Sequence, residues 1–191
     1  MTFRRTRCPH CKGKLEHGQR IHPKCIDGHA EAVAAKKERE AAKKARMDAK
    51  ADRADTKRRK EAVKPLKKWK DECQAIANKI ARLRDHADGC ISCSKSSGWN
   101  GQWHGSHFRS VGAASAVRFN LWNIHKACSV CNNYLSGNIA EYTPRIIEKI
   151  GAEKVEWLRA QNQRTEYEVD YLKKFKRVMG KKLKRMEARN G

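Results

Sequence analysis

Two Cys-x-x-Cys pairs, Cys90-Ile91-Ser92-Cys93 and Cys128-Ser129-Val130-Cys131, stand 34 residues apart and constrain the fold more than any other feature of the chain. Paired thiols at this spacing are the signature of a four-cysteine structural zinc site, whose ion clamps a loop, a hairpin and the start of a helix. The eight cysteines lie at positions 8, 11, 25, 73, 90, 93, 128 and 131, and six of them form three tight groups. That grouping is unlike the scatter of a disulfide framework. No apolar leader follows Met1-Thr2-Phe3-Arg4-Arg5, so the chain is expected in the reducing cytoplasm, where grouped thiols read as metal ligands.

A second zinc site is expected in residues 1–29. Cys8-Pro9-His10-Cys11 is a turn in which both sulfurs can face one ion, and His22-Pro23-Lys24-Cys25 repeats the two-residue gap. Cys8, Cys11, His22 and Cys25 make a closed Cys3His set. His29 is an alternative to His22, and His10 and His17 are weaker candidates. So few apolar residues lie here that metal binding would supply most of the folding free energy. Cys73 lies on an apolar helical face and reads as a buried thiol rather than a ligand.

The rest of the composition points to the partner. The 191 residues carry 44 Lys and Arg against 21 Asp and Glu, a formal charge of +23, with 39% hydrophobic and only 7% aromatic residues. That apolar content cannot bury the whole chain in one core, so small stapled units joined by solvated helices are expected. No stretch reaches the roughly 20 apolar residues of a membrane span. The excess cations favour a nucleic acid, whose phosphates release condensed counterions on binding.

Four segments follow from composition. Residues 1–29 form the zinc finger. Residues 30–64 are rich in Ala, Lys, Arg and Glu and predict a solvated helical linker, with 13 Lys or Arg against 7 Asp or Glu. That local excess is modest, so spacing is its expected role, with DNA contact secondary. Residues 65–150 begin at Pro65 with an amphipathic helix bearing Leu66, Trp69, Cys73, Ile76, Ile80 and Leu83, and helices return from Pro144. Residues 151–191 are basic helices; the last carries Leu172, Phe175, Met179, Leu183 and Met186 on one face and Lys173, Lys174, Lys176, Arg177, Lys181, Lys182, Lys184 and Arg185 on the other.

Between the cysteine pairs lie His104, Ser106, His107, Arg109, Arg118, Asn120, Asn123 and His125, with Asn132 directly after Cys131. This arrangement resembles the zinc-bearing HNH (His-Me finger) nucleases. Their pattern has a general-base His after the first Cys pair, an Asn five residues before the third Cys and a metal ligand just after the fourth. His107, Asn123 and Asn132 occupy those places, and Asn at the last resembles the phage endonuclease VII group. Closer still is the resemblance to the phage NinG (Rap) recombination proteins. It rests on Gly105-Ser106-His107-Phe108-Arg109-Ser110-Val111-Gly112-Ala113, Arg118-Phe119, Asn123-Ile124-His125-Lys126-Ala127-Cys128, Cys131-Asn132 and Leu135-Ser136-Gly137-Asn138, with the lead-in Trp69…Asn78…Arg84-Asp85.

The resemblance implies a mainly α fold with small zinc-stapled α+β units, built on a treble-clef ββα-metal core at roughly residues 88–142. It implies a structure-specific endonuclease acting on Holliday junctions, D-loops and other branched DNA, alongside phage recombination proteins. His107 would take a proton from water, and Mg2+ or Mn2+ would stabilise the phosphorane and the departing 3′ oxygen. Asn132 would ligand that cation, with His104 as the second ligand and His125 or Ser106 as alternatives. Asn123 would brace the loop and orient His107. Where relatives place Asp or a second His before the base, this chain has Ser106, and no Asp or Glu occurs between Asp88 and Glu141. A hard cation prefers carboxylate oxygen, so a site built on Asn, His and water would be weak, and its imidazole would favour Mn2+, Ni2+ or Zn2+ over Mg2+.

Arg109, Arg118 and Lys126 near the hairpin and Lys173, Lys174, Arg177, Lys181 and Lys182 on the last helix are the expected DNA contacts. Trp99, Trp103 and Trp122 are expected to plug a small core, with one able to wedge a branch point. Symmetric resolution of a junction calls for two active sites and hence a homodimer. The rival readings are a zinc-containing DNA-binding accessory protein without chemistry and an adaptor that loads a recombinase through the 30–62 helix.

Overall fold

The computed structural model describes residues 5–190, so the first four residues of the expected zinc finger and Gly191 lie outside the described residues. The described residues are mainly helical, with one two-stranded antiparallel sheet. The chain divides into two compact units, Met1–Val63 and Lys64–Gly191.

In the first unit, an isolated bridge between Arg7 and Lys14 closes a knuckle around Cys8 and Cys11. The Cys8 amide donates to the Gly13 carbonyl at 2.8 Å, and Lys12 takes the left-handed conformation that the tight turn demands. A 3-10 turn, Pro23–Cys25, leads straight into α1 (Ile26–Ala62). The helix therefore starts before the expected residue 30, because Cys25 itself ends the knuckle. A Cβ on Gly28 would sit 3.0 Å from the His10 ring, so the missing side chain lets the knuckle pack on the first turn. None of the 37 residues of α1 is buried, which is the solvated helix its composition predicts.

The second unit opens with α2 (Leu66–Arg84), whose buried line is Trp69, Cys73, Ala77, Ile80 and Ala81. Leu66, expected on that face, is exposed, and the small Ala77 and Ala81 are buried in its place. The reason is close approach. β1 (Trp103–His107) and β2 (Ile124–Cys128) pair antiparallel, Ser106 opposite His125 and His107 opposite Ile124, and Gly105 sits against Asn78 of α2. Only small side chains fit at that crossing.

After β2 the chain makes a π-type turn (Val130–Tyr134), then α3 (Ile139–Ile150), α4 (Ala152–Ala160) and α5 (Val169–Asn190). α3 begins earlier than Pro144, the expected return of helix. Pro144 lies within it, and the Thr143 hydroxyl donates to the Ile139 carbonyl at 2.8 Å. The main core gathers Ile91, Phe108, Val117, Tyr142, Ile146, Val155 and Leu158 around the cysteines of the second cluster.

The C-terminal helices, expected as a region of their own, belong to this unit. α4 contributes Val155 and Leu158 to the core, and α5 lies along α2. Cys73 Sγ reaches the Leu172 carbonyl at 3.4 Å, Lys176 pairs with Glu72 at 2.7 Å, and Lys79 pairs with Glu187, so the two helices run in the same direction. Leu172 is fully buried, whereas Phe175, Met179, Leu183 and Met186 are only half-buried.

The Gly105 crossing is directly testable. An added Cβ would lie 2.8 to 2.9 Å from Asn78 Cβ and Cα, inside van der Waals contact with backbone that cannot rotate away. Gly105→Ala should therefore lower stability by about 1–3 kcal/mol, read as a reduced urea midpoint with an unchanged slope.

Candidate functional site: two cysteine clusters and a hairpin

The structure gathers Cys8, Cys11, His22 and Cys25 in the first unit and Cys90, Cys93, Cys128 and Cys131 in the second, each set with its ligand atoms within 4.8 Å of one another. These are the two sets expected, and both can hold zinc. His22, not His29, completes the first. Its Nδ1 lies 3.2 Å from Cys11 Sγ, while Nε2 donates to the Lys14 carbonyl at 3.0 Å. That outer hydrogen bond fixes the tautomer that leaves Nδ1 free for a metal. His10 instead packs on Gly28.

In the second cluster, Cys93 Sγ lies 3.9 Å from Cys128 Sγ, close to the roughly 3.8 Å edge of a tetrahedron built on 2.3 Å zinc–sulfur bonds. Backbone amides point at the sulfurs: Ser92 and Cys128 donate to Cys90, and Cys131 donates to Cys128, at 3.2 to 3.4 Å. At Cys90 burial outweighs these donors and holds the thiol above its ordinary value. At Cys8 burial opposes ionisation, yet amide hydrogen bonds from the knuckle bring the thiol down to about 6. At Cys25, burial and the neighbouring thiols push it up to about 11.

Between the two Cys pairs, strand alternation sorts the candidate groups onto two faces of the hairpin. His104 and Ser106 share one face, and His107, the last residue of β1, points to the other. On the first face His104 Nδ1 meets Asn132 Nδ2 at 3.2 Å, which joins the two expected cation ligands. Of the alternatives, Ser106 is buried next to Gly137, and His125 is withdrawn. His125 is fully buried, with Nδ1–H donating to the Tyr142 hydroxyl at 3.0 Å while that hydroxyl donates to the Ser106 carbonyl. Its Nε2 has no hydrogen-bond partner among the described residues. Burial and the nearby Arg84 cation bring the His125 imidazole down to about 3.

On the second face, His107 Nε2 lies 3.0 Å from the Arg118 carbonyl and 3.2 Å from Gln74 Nε2 of α2. One nitrogen cannot serve both. Gln74 is fixed as a donor there, because its Oε1 accepts from Arg118 Nε and its Nε2 donates to Asn78 Oδ1. The shorter contact to the carbonyl assigns the proton to His107 Nε2 and leaves Nδ1 as a bare acceptor. Burial holds this imidazole below its ordinary value, hence neutral at pH 7. No hydrogen bond joins His107 to His104 or Asn132 among the described residues.

Asn123 is fully buried and braces the loop after His107. Its Oδ1 accepts from the Arg109 amide at 2.7 Å, and its Nδ2 donates to the Arg109 and Val117 carbonyls.

The cations near the hairpin are engaged inside the protein. Lys126, expected on DNA, is only 4% exposed: its ammonium donates to the His86 carbonyl and stacks over Trp103. This corrects its place among surface contacts. Arg109 donates to Asn162 and the Gln161 carbonyl, and Arg118 pairs with Gln74 and Asp71. On α5, Lys173 pairs with Asp170, while Lys174, Arg177, Lys181 and Lys182 are exposed. An open cleft of about 640 Å³ beside the first Cys pair is lined by Lys126, Arg145 and Lys149, but these too are spent on the His86 carbonyl, the Cys93 carbonyl, and Asp85 with Asp88.

Trp99 and Trp103 stack edge to face against the core, as expected of plugs. Trp122 does not: it is 43% exposed and forms an edge-to-face pair with the equally exposed Trp157.

Sequence reading missed the buried ion network that holds the hairpin. Asp85 is 2% exposed, takes a bidentate contact from Arg84 at 2.7 Å, and accepts from Lys149 and the Lys126 amide. Arg84 also donates to the Leu121 and Ile124 carbonyls. Burial works against the Asp85 carboxylate, but Arg84 and Lys149 bring it down to about 2. The adjacent Arg84-Asp85 pair at the end of a helix was the available signal.

The fold and clusters define a strongly basic, mainly helical protein with two cysteine-rich clusters that can hold zinc. The family profile of the bacteriophage lambda NinG protein matches residues 2–189. This chain belongs to the NinG family. It is 37% identical over 126 residues to the ninG protein of Escherichia phage lambda, covering 66% of this chain and 61% of that one. It is 36% identical over 126 residues to those of Escherichia phage 933W and Salmonella phage P22. The match thus spans about three-fifths of the length of these relatives. No solved structure matches the chain. No helix among the described residues is long and apolar enough to cross a membrane.

Two expectations follow. Purified chain should hold two zinc ions by elemental analysis; Cys90→Ser should hold one and unfold the second unit, whereas Cys8→Ser should hold one and leave the second unit's thermal transition in place. His125 sets a pH dependence. Its folded value lies below the unfolded ~6.5, so its contribution is complete above pH 6.5 and is lost as pH falls towards about 3. From pH 7 to 5 the zinc-loaded wild type should lose about 2 kcal/mol relative to zinc-loaded His125→Gln, read from urea midpoints.

Proposed function

We propose that this chain is a structure-specific endonuclease that hydrolyses phosphodiesters in branched DNA, Holliday junctions and D-loops among them, inside the bacterial host cell. The observation that carries the reading is the hairpin itself. Closed by four cysteines and pinned by Asn123, it presents a neutral imidazole, His107, at the end of β1 and places Asn132 directly after the last cysteine. This is the order of parts in the HNH nucleases that the sequence resembles.

In this reading Asn132 and His104, already in contact, hold a Mg2+ or Mn2+ ion. Such an ion supplies Lewis-acid stabilisation of the phosphorane and of the leaving oxygen. With Nε2–H committed to the Arg118 carbonyl, His107 has Nδ1 free to accept a proton from the attacking water. Asn123 keeps the loop that carries this carbonyl in place. Recognition rests on branch shape and backbone charge, which the exposed cations of α1 and α5 support. A dimer would supply the paired cuts that symmetric resolution needs.

A specific observation favours a second arrangement. His107 points away from the face shared by His104 and Asn132, so the histidine on the Asn132 face can be the proton acceptor instead. Cleavage of a synthetic four-way junction and a matching duplex, with Mg2+, Mn2+ or EDTA, decides the matter. His107→Ala and Asn132→Ala should each lower cation-dependent junction cutting at least 10²-fold while junction binding in EDTA stays within threefold. Loss in His104→Ala with activity kept in His107→Ala moves the base to the other face. Tight junction binding by a wild type that cuts nothing overturns the nuclease reading in favour of a non-catalytic accessory protein.

A further inference from the structure

The cations of α1 follow a strict repeat. Lys36, Lys43, Lys50 and Lys57 recur every seven residues, and Arg39, Arg46, Arg53 and Lys60 recur every seven, three residues later. The resulting 3–4 spacing keeps all eight on one face of the helix, drifting by roughly 20° per heptad. Glu38, Asp48, Asp52 and Asp55 fall on the far side. All eight cations are exposed. Lys36 approaches Glu40 at 3.9 Å, but the only other ion pairs on α1 among the described residues join Asp55 to Arg58 and Arg59, off the row. The modest net charge of this segment therefore hides a concentrated one-sided field.

Three occupants can be weighed against this face. A second copy of the helix is excluded at the row, because a seam of this spacing needs apolar side chains and would here set cation against cation. A membrane surface needs an apolar face to insert, and the large apolar residues of α1 are only Ile26, Val33 and Met47. A single strand would call for aromatic stacking platforms, and α1 contains no Phe, Trp or Tyr. The backbone of duplex DNA fits. From Lys36 to Lys60 the row is roughly 36 Å long at 1.5 Å per residue, about one turn of B-form duplex.

We infer that α1 is a duplex-tracking arm whose Lys36-to-Lys60 row lies along the phosphates of double-stranded DNA. This rests on the nucleic-acid reading of the partner and not on cleavage. It makes α1 a binding element rather than a spacer.

The test measures binding of the full zinc-loaded chain to an unbranched 30-bp duplex in EDTA, across a salt series. One variant replaces Arg39, Lys43, Arg46 and Lys50 by Gln; a matched variant replaces Lys37, Lys44, Arg58 and Arg59 by Gln, removing the same charge from the same helix. Circular dichroism confirms that both keep their helix content. The row variant should bind at least tenfold more weakly at 0.1 M salt, with its salt slope reduced by about 3 to 4, while the matched variant stays within threefold of wild type. Equal losses in the two variants, no loss in either, or a row-specific loss seen on phosphatidylserine vesicles but not on DNA would overturn the proposal. Cutting plays no part in this readout, so a chain that binds through the row and cleaves nothing sinks the nuclease reading alone.

Discussion

The convergence of Cys90, Cys93, Cys128 and Cys131 on one point, where they can hold zinc, is the constraint around which the 64–191 unit is arranged. A two-stranded ribbon is marginal in water by itself, and this one has only five residues per strand. The four sulfurs tie the loop before β1 to the end of β2 and to the π-type turn beyond it. Backbone amides satisfy the sulfurs from within, so the cluster is also where loop geometry is fixed. Tyr142 and Ile146 of α3 then find a preformed floor to pack against.

A second constraint acts along the outer edge of β2, where the Lys126 amide meets Asp85 and its carbonyl accepts from the Ile91 amide. Asp85 draws Arg84, Lys149 and the Lys126 amide together, and so joins the end of α2, the middle of β2 and the end of α3. A buried carboxylate is tolerated because each oxygen is paired; removing Arg84 would strand it. The ribbon is thus framed by a four-cysteine cluster at one end and by a charge network along its outer edge, with Gly105 allowing α2 to close on it. Little of this is apolar packing, which explains how a chain with so few aromatic residues can hold a defined hairpin.

How much of this was legible in the sequence depended on how local the signal was. Cysteine spacing is set by the knuckle itself, so both clusters could be read directly, and the choice of His22 over His29 followed once the chain turned into helix at Cys25. α1 was readable from helix-forming residues without an apolar stripe. The crossing at Gly105 was not, because a glycine's neighbour across the structure leaves no mark on its own segment. The burial of Lys126 was hidden for the same reason: His86 and Trp103, which hold it, are brought near only by pairing and by the Asp85 network. The hairpin's faces were implicit in strand alternation, but the residue at which β1 ends decides whether His107 belongs to the His104 face.

The placement of positive charge separates two tasks. A cation that braces a loop must be held rigidly, and Arg109, Arg118 and Lys126 are each bonded to side chains or carbonyls of the fold. A cation that tracks a polyanion must shed its counterions and adapt, so it should be exposed and unpaired. Among the described residues those conditions are met by the row on α1, Lys36 beside Glu40 excepted, and by Lys174, Arg177, Lys181 and Lys182 on α5. If binding is carried by helices and chemistry by a stapled ribbon, substitutions in one class should leave the other nearly intact. Affinity would then vary steeply with salt while the chemical step of the bound complex would not. The excess of 23 positive charges is best understood through this division: the cations around the hairpin are hydrogen-bonded within the fold, and many of the others are displayed on the exposed faces of α1 and α5.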